Sequence, residues 1–344
     1  MKEETRLIIE TTNRILQDHC TPEVVDAAES GQFASELWRV LEENGLILAG
    51  LPEHLGGAAG DLGDSLTVIR CAARYAAPIP IAETFIAASL ANLVGASSIP
   101  SGVSTVAAGN FELSDDGVLT GRARSVAFGR WADRIYLPAH HQGGYVLCIV
   151  DRTDVVLIKD KNIAGEPRDT IEVDVKIEAT EIYKAPDDIC DYIERLGAMT
   201  RAVMMSGALE STLELAVDYS MTREQFGRSI SKFQAIQHQL AMMAGDVAAS
   251  IRAADSLVQL TEPVELEIAF AKARVGQACG PCSDVAHQVM GAIGYTLEHH
   301  LNHRTRRLWS WREEYGSERK WQQLIGRQMC ETGANELWPR IASL

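Results

Sequence analysis

The sequence of 344 residues lacks several features that would place it in a specialised class of protein. It has no Gly/Ser-rich or Pro-rich tract that would indicate disorder, and no apolar run reaches the ~20 residues that span a bilayer. Positive charge is in short supply, because 32 Lys and Arg stand against 47 Asp and Glu, a formal net charge of −15. Nucleic acids and anionic membranes repel such a chain, so neither is expected as a partner. The charged, amphipathic beginning of the chain has no signal-peptide core, and we therefore expect a cytoplasmic protein.

Cysteine is present only as an odd and scattered set of 7 residues. Such a set favours reduced thiols over a disulfide framework. Cys279 and Cys282 form an isolated CxxC pair, but the pair lies inside a long helical pattern with no strand before it. We interpret both residues as buried structural thiols and not as a redox pair.

The pattern of the chain changes twice, which predicts three domains. Residues 1–97 have apolar positions at helical spacing and form a predicted N-terminal α-helical domain. Residues 98–185 consist of short alternating runs separated by polar turns, which is typical of a small β domain. Residues 186–344 return to helical spacing and predict a C-terminal four-helix bundle. Its long helices are predicted near 189–220, 233–259, 264–291 and 317–340.

The predicted fold class is therefore α+β and multidomain. Strands and helices do not alternate along the chain, so a Rossmann sheet is not expected.

Three motifs of the C-terminal region stand in a set order. They are Arg223-Glu-Gln-Phe226-Gly227 with the following Phe233-Gln234-Ala-Ile-Gln237, then Gln288-Val-Met-Gly291-Ala-Ile-Gly294-Tyr295, and then Arg306-Arg307-Leu-Trp-Ser-Trp-Arg-Glu-Glu-Tyr315-Gly316-Ser317. In these motifs the chain resembles the acyl-CoA dehydrogenase family, whose signatures RxxFG…FQxxQ, QxxGGxGY and RDA…YEGTS have the same order. The stretch Trp38–Gly57 and the segment APIPIAET resemble the family's first domain, so the resemblance covers nearly the whole chain.

The resemblance implies an FAD-dependent enzyme that desaturates an acyl-CoA thioester and passes electrons to an acceptor flavoprotein. In the family, Arg and Gln side chains of the bundle reach the FAD of the neighbouring subunit, and a guanidinium is well suited to pyrophosphate. By resemblance, the candidate cofactor-binding residues are Arg223, Phe226, Gln234, Gln288 and Gly291.

The catalytic glutamate of the family is absent from both of its usual positions. An ungapped alignment from Gly294 puts Tyr315 at the first position, and Thr200, just before Arg201, occupies the second. A tyrosine is protonated at neutral pH and is a poor base. Glu314 could substitute only if the loop shifted, because adjacent side chains point in different directions. Arg201 is a candidate substrate-binding residue.

The predicted β domain also departs from the family. Residues 98–121 contain no TEPxxGSD segment, which in the family meets the flavin ring, and Ser125 stands where a tryptophan is expected. His299, His300 and His303 lie close together, but they have no carboxylate or cysteine partner at a set spacing, so no metal site is expected.

These losses favour a subunit that completes the FAD site of a homologous partner. The pattern resembles the smaller subunits of heteromeric acyl-CoA dehydrogenases that act on steroid side chains. Two alternatives remain open: a self-sufficient homo-oligomer that uses Glu314 as a relocated base, and a flavin-free scaffold or binding protein on the same fold. Copurified flavin would separate the scaffold from the other two, and activity of the chain by itself would separate the remaining pair.

Overall fold

The computed structural model describes residues 3–342. The chain forms two compact units: the first holds the residues up to Ile69 together with Ala77–Gly197, and the second holds Arg70–Ala76 together with the chain from Ala198 onward. The domain boundaries expected after residues 97 and 185 stay a prediction.

The beginning of the chain is helical, as its spacing of apolar residues predicts. Its helices are α1 (Glu3–His19), α2 (Pro22–Glu29), α3 (Ser35–Glu43), α4 (Leu62–Arg74) and α5 (Ile81–Leu93). Helix α2 begins with a proline, whose missing N–H is no loss at the first position of a helix. Helix α5 is apolar on nearly every side because almost all of its side chains are buried.

A sheet of eight strands follows the helices. The strands are β1 (Ser104–Val106), β2 (Asn110–Leu113), β3 (Val118–Ala127), β4 (Arg134–His141), β5 (Gly144–Asp151), β6 (Val155–Ile158), β7 (Arg168–Lys176) and β8 (Ile182–Ala185). They lie in the order β6-β7-β3-β2-β4-β5-β8, with β1 beside β4. Only the β1/β4 and β2/β4 pairs within the described residues are parallel. The register of β3 against β7 shifts between Ala123 and Val126, which marks a β-bulge.

The remainder of the chain is a helical bundle. Its helices are α6 (Ile189–Thr222), α7 (Gln234–Val258), α8 (Glu265–Met290), α9 (Leu301–Glu313), α10 (Glu318–Thr332) and α11 (Ala334–Ala342). A short antiparallel ribbon, β9 (Glu224–Gln225) with β10 (Arg228–Ser229), joins α6 to α7. The core of the second unit includes Met205, Leu209 and Trp311. Cys279 and Cys282 are buried in this core, and burial raises the pKa of each thiol to about 12, which disfavours the reactive thiolate form.

Some elements differ from the prediction. Helix α9 is additional to the four long helices predicted for the bundle. The helix expected over 317–340 is interrupted at Gly333, whose φ of 80° lies in the left-handed region and ends α10. The other three long helices are found within a few residues of their predicted bounds.

No helix within residues 3–342 is both long enough and apolar enough to cross a bilayer.

Candidate functional site

An open and mainly apolar groove lies on the bundle, where the β9–β10 ribbon approaches the end of α8. Its volume is about 590 Å³. Its lining includes Tyr219, Arg223, Phe226, Phe233, Met290 and Gly291. The fold therefore brings together three of the five candidate cofactor-binding residues: Arg223, Phe226 and Gly291.

Arg223 supplies the positive charge of this groove. It follows the last residue of α6, and its backbone N–H donates to the Tyr219 carbonyl at 2.9 Å, so the end of the helix fixes where the side chain begins. The side chain is exposed, and the described part of the chain shows no carboxylate paired with it. A guanidinium without an internal partner is available to an anionic ligand.

The turn between β9 and β10 holds Phe226 and Gly227 at φ values of 54° and 76°. Two successive residues at positive φ are typical of a type I′ hairpin turn. Glycine adopts this geometry readily, whereas a phenylalanine is strained in it. Phe226 is nevertheless 91% exposed, and its ring meets Phe233 edge-on at 6.2 Å. A strained and exposed aromatic side chain is typical of a contact surface.

Gly291 ends α8 with a φ of 64°, and no atom lies within 4 Å of the place that a Cβ would take. The backbone therefore faces open space on this side, where a ligand could approach closely. Gln234, at the start of α7, and Gln288, in the last turn of α8, are exposed beside residues that line the groove, but they do not line it themselves.

The turn after α9 holds the residues at the expected base position. The Glu314 carboxylate accepts a hydrogen bond from Nε of Arg201 at 2.6 Å. The guanidinium carbon of Arg201 lies 5.5 Å from the centre of the Tyr315 ring. The Arg201 side chain is 1% exposed and that of Glu314 is 21% exposed. A partly exposed carboxylate thus neutralises a buried cation, and an aromatic ring covers it.

This turn is held from several sides. The ammonium group of Lys272, a fully buried residue of α8, donates to the carbonyls of Arg312 and Gly316, each at 2.7 Å. The indole N–H of Trp321 donates to the Tyr315 carbonyl at 3.1 Å. Arg312 also pairs with Glu318 across the turn at 2.8 Å. These bonds fix Tyr315 and Gly316 at φ values of 54° and 92°.

Lys272 was not among the candidates from the sequence. The only sequence signal for it is a lysine inside the otherwise apolar segment 268–273 of the helical pattern. Burial lowers the pKa of Lys272 to about 8, against an ordinary value of 10.5.

The chemistry available around Arg201 is limited. Glu314 could accept a proton only by giving up its ion pair with a buried guanidinium, which is unfavourable. Thr200 is fully buried and has no carboxylate. Tyr315 carries a phenol that is a hydrogen-bond donor at neutral pH. The cluster is therefore poorly equipped to remove a proton from carbon.

The sequence also singled out Ser125 and the histidines near residue 300. Ser125 is exposed in the bulge of β3, with a left-handed φ of 56°. His299 and His300 stack on one another with ring centres 4.7 Å apart, and burial together with the Arg304 charge lowers the pKa of His300 to about 4. Across residues 3–342, no group of three His, Cys, Asp or Glu side chains is arranged to hold a metal ion.

Comparison with known proteins adds to this geometry. The family model "acyl-CoA dehydrogenase, N-terminal domain" matches residues 2–96, and "acyl-CoA dehydrogenase, C-terminal domain" matches residues 194–329. Acyl-CoA dehydrogenase IpdE2 of Mycolicibacterium smegmatis is 26% identical over 309 residues, which cover 88% of this chain and 91% of that protein.

Solved structures show the same likeness. A chain of the ChsE4-ChsE5 complex from Mycobacterium tuberculosis superposes with a TM-score of 0.86 at 23% identity and covers 97% of this chain and 99% of that chain. A variant of the Tcur3481-Tcur3483 steroid ACAD gives a TM-score of 0.83 at 21% identity, over 96% and 98% of the two chains. At these identities the structural likeness shows a common fold.

Proposed function

The chain belongs to the acyl-CoA dehydrogenase family, and on this premise we propose that it is a subunit of an FAD-dependent acyl-CoA dehydrogenase. In the reaction of this family a base removes a proton from Cα of an acyl-CoA, a hydride leaves Cβ, and a C=C bond forms between them. FAD supplies the hydride acceptor when it is bound. We propose that this chain contributes part of a cofactor site and leaves removal of the proton to a homologous partner.

The ion pair between Arg201 and Glu314 is the observation that carries this proposal. At 2.6 Å it engages the carboxylate nearest to the expected base position. Tyr315 and Thr200 occupy the two positions where the family resemblance expects a glutamate, and neither can act as a carboxylate base. A chain with these features needs another subunit to supply the base.

The open groove supports the second half of the proposal, because its residues suit the adenosine diphosphate half of FAD. The exposed guanidinium of Arg223 would bind the pyrophosphate through charge-assisted bonds. The open backbone at Gly291 would allow close approach, and the apolar walls at Phe226 and Met290 suit the adenosine. Gln234 and Gln288, whose amides are exposed beside the groove, would contact the same ligand from its edge.

The similar proteins support a proposal for the partner and for the substrate class. Two of the similar structures are named for two components each, which supports a hetero-oligomer with a homologous acyl-CoA dehydrogenase subunit. One of them is named a steroid ACAD, which supports a steroid side-chain thioester as the substrate class. We propose an electron-transferring flavoprotein as the acceptor, since one similar structure carries that name.

Expression of the chain by itself and together with a homologous subunit that carries a glutamate before its Gly-Thr pair tests the proposal. We expect the chain by itself to be nearly colourless and the complex to contain FAD and to desaturate acyl-CoA. Near-stoichiometric FAD with activity from solo expression would support the self-sufficient enzyme instead. Absence of flavin from both preparations would support a scaffold.

A further inference from the structure

His287 lies directly behind the groove, in the last turn of α8. Its backbone carbonyl accepts the N–H of Gly291, the residue that ends the helix. Its side chain is 5% exposed. A buried imidazole this close to the Gly291 backbone, which is proposed to meet the cofactor, can hold that backbone in place.

One side of the imidazole is attached to α9. Its Nε2 lies 3.2 Å from Oγ1 of Thr305, and its ring is nearly parallel to Trp309, with ring centres 5.9 Å apart and planes 18° apart. Thr305 and Trp309 lie one helical turn apart, so they present one face of α9 to the imidazole.

The other side of the imidazole meets the turn over residues 291–295. Its ring stacks on Tyr295 at 4.7 Å with planes 24° apart. A Cβ placed on Gly294 would lie 3.0 Å from Cβ of Met290 and 3.5 Å from Nδ1 of His287, so the turn packs closely on this residue. His287 is therefore in near-parallel ring contact with both Trp309 on α9 and Tyr295 in the turn.

Tyr295 depends on this stack because it is 72% exposed. Offset aromatic pairs contribute free energy beyond their buried area, and the contribution is lost when one ring is removed. Burial lowers the pKa of His287, so the ring is neutral at neutral pH and stacks without placing a charge between two aromatic rings.

We propose that His287 is a positioning residue for the groove: its ring, held between α9 and Tyr295, sets the place of the Gly291 backbone, where the adenosine diphosphate half of the cofactor would bind. This inference rests on the function proposed above. His287 itself does not line the groove and acts only through the turn over 291–295.

The test compares His287→Leu, which removes the stack, with His287→Phe, which keeps it, and measures FAD affinity of the assembled complex well below the unfolding temperature. We expect His287→Leu to weaken FAD binding about tenfold and His287→Phe to stay within about twofold of wild type. Tyr295→Leu removes the stack from its exposed side without risk to the core, and we expect a similar loss. A purely structural role would lower the unfolding temperature of a variant but leave the affinity of its folded molecules unchanged.

A second readout uses the full chain without cofactor, with glycine selectively labelled with ¹⁵N for NMR. The amide signal of Gly291 should move in His287→Leu and Tyr295→Leu but stay near its wild-type position in His287→Phe. An unmoved signal in the two leucine variants overturns the inference, whatever the cofactor does.

The two proposals fail in different ways. If Arg223→Ala weakens FAD binding and the leucine variants do not, the positioning role of His287 is wrong and the proposed function stands. If Arg223→Ala has no effect, the groove is not the cofactor site and that half of the proposed function is wrong, and the Gly291 signal still decides whether His287 sets the turn.

Discussion

Two turns of the bundle have the same strained backbone but opposite surroundings. Phe226-Gly227 in the ribbon and Tyr315-Gly316 after α9 each place an aromatic residue at a φ of 54° before a glycine at positive φ. The turn at Tyr315 is held from within the chain by Lys272 and Trp321. The turn at Phe226 extends into solvent. Because strained turns persist where their surroundings hold them, the exposed turn is the one that we expect to be completed by another molecule.

The arginines beside the two turns differ in the same way. Arg201 is buried and neutralised by Glu314, whereas Arg223 is exposed with no carboxylate paired to it in residues 3–342. A charge that is satisfied internally contributes to the fold, and a charge left exposed in a groove can contribute to binding. The turn at Tyr315 is therefore closed, at the position where a base would stand. The turn at Phe226 is open, at the position where a cofactor would bind.

Among these predictions, the largest change in free energy is expected when the turn at Tyr315-Gly316 loses its bonds to Lys272. Lys272→Met removes two charge-assisted bonds to carbonyls, so we expect the free energy of unfolding to fall by about 3 kcal/mol. Chemical denaturation measures the loss, and the exposed Lys159→Met is the matched control, expected to stay within about 0.5 kcal/mol of wild type. A loss for Lys272→Met no larger than that of the control would mean that the turn does not depend on the buried ammonium.

The contribution of Lys272 to the free energy of unfolding should become more favourable as the pH rises. The pKa of Lys272 is about 8 in the folded chain and ordinarily 10.5. The unfolded chain therefore binds more protons between pH 8 and 10.5, and in that window this group makes the wild type more stable as the pH rises. The slope should be missing from Lys272→Met.

Removing the exposed charge of Arg223 tests whether the groove beside the Phe226 turn binds the cofactor. Arg223→Ala should weaken FAD binding to the assembled complex by about 2 kcal/mol, or about 30-fold, because a charge-assisted bond to pyrophosphate is lost. Calorimetric titration of the cofactor-free complex measures it, with the exposed Arg252→Ala on α7 as control. Unchanged affinity with the fold intact would mean that the groove does not meet the cofactor.

The smallest effect is expected from changing the carboxylate of Glu314, and the quantity measured is turnover. Glu314→Gln keeps an oxygen that can accept from Arg201, so the turn should survive, and turnover of the assembled complex should stay within about threefold, or under ~1 kcal/mol of barrier. Removal of a true general base lowers the rate by about 10²–10⁴. A loss of that size, with FAD content and assembly unchanged, would identify Glu314 as a relocated base.

Much of the open site could be predicted from the sequence because its residues lie in short motifs. Arg223, Phe226 and Gly291 lie in short local motifs that resemble those of the acyl-CoA dehydrogenase family, and this resemblance indicates them as candidates. The closed site could be predicted only in part. The alignment draws attention to Tyr315 and Glu314, but no local pattern reveals that Glu314 pairs with Arg201, whose position in the sequence is 113 residues away.

Two further features, the role of Lys272 and the end of α10 at Gly333, were not predicted from the sequence. The role of Lys272 depends on carbonyls 40 and 44 residues further along, which sequence periodicity does not register. The interruption of the last helix at Gly333 had a signal, since glycine favours the left-handed residue after a helix, but the helical pattern on both sides concealed it.

The length of α6 sets how far Arg201 lies from Arg223. Arg201 lies on this helix and Arg223 directly follows it, and at ~1.5 Å per residue the two are separated by about 33 Å along its axis. Within one FAD molecule, the reactive ring and the pyrophosphate lie far closer together than that. The length of the helix therefore separates the Arg201 cluster from the groove by more than the span between these two parts of FAD. If Arg223 binds a pyrophosphate, the flavin ring of that cofactor would therefore lie well short of Arg201, Glu314 and Tyr315.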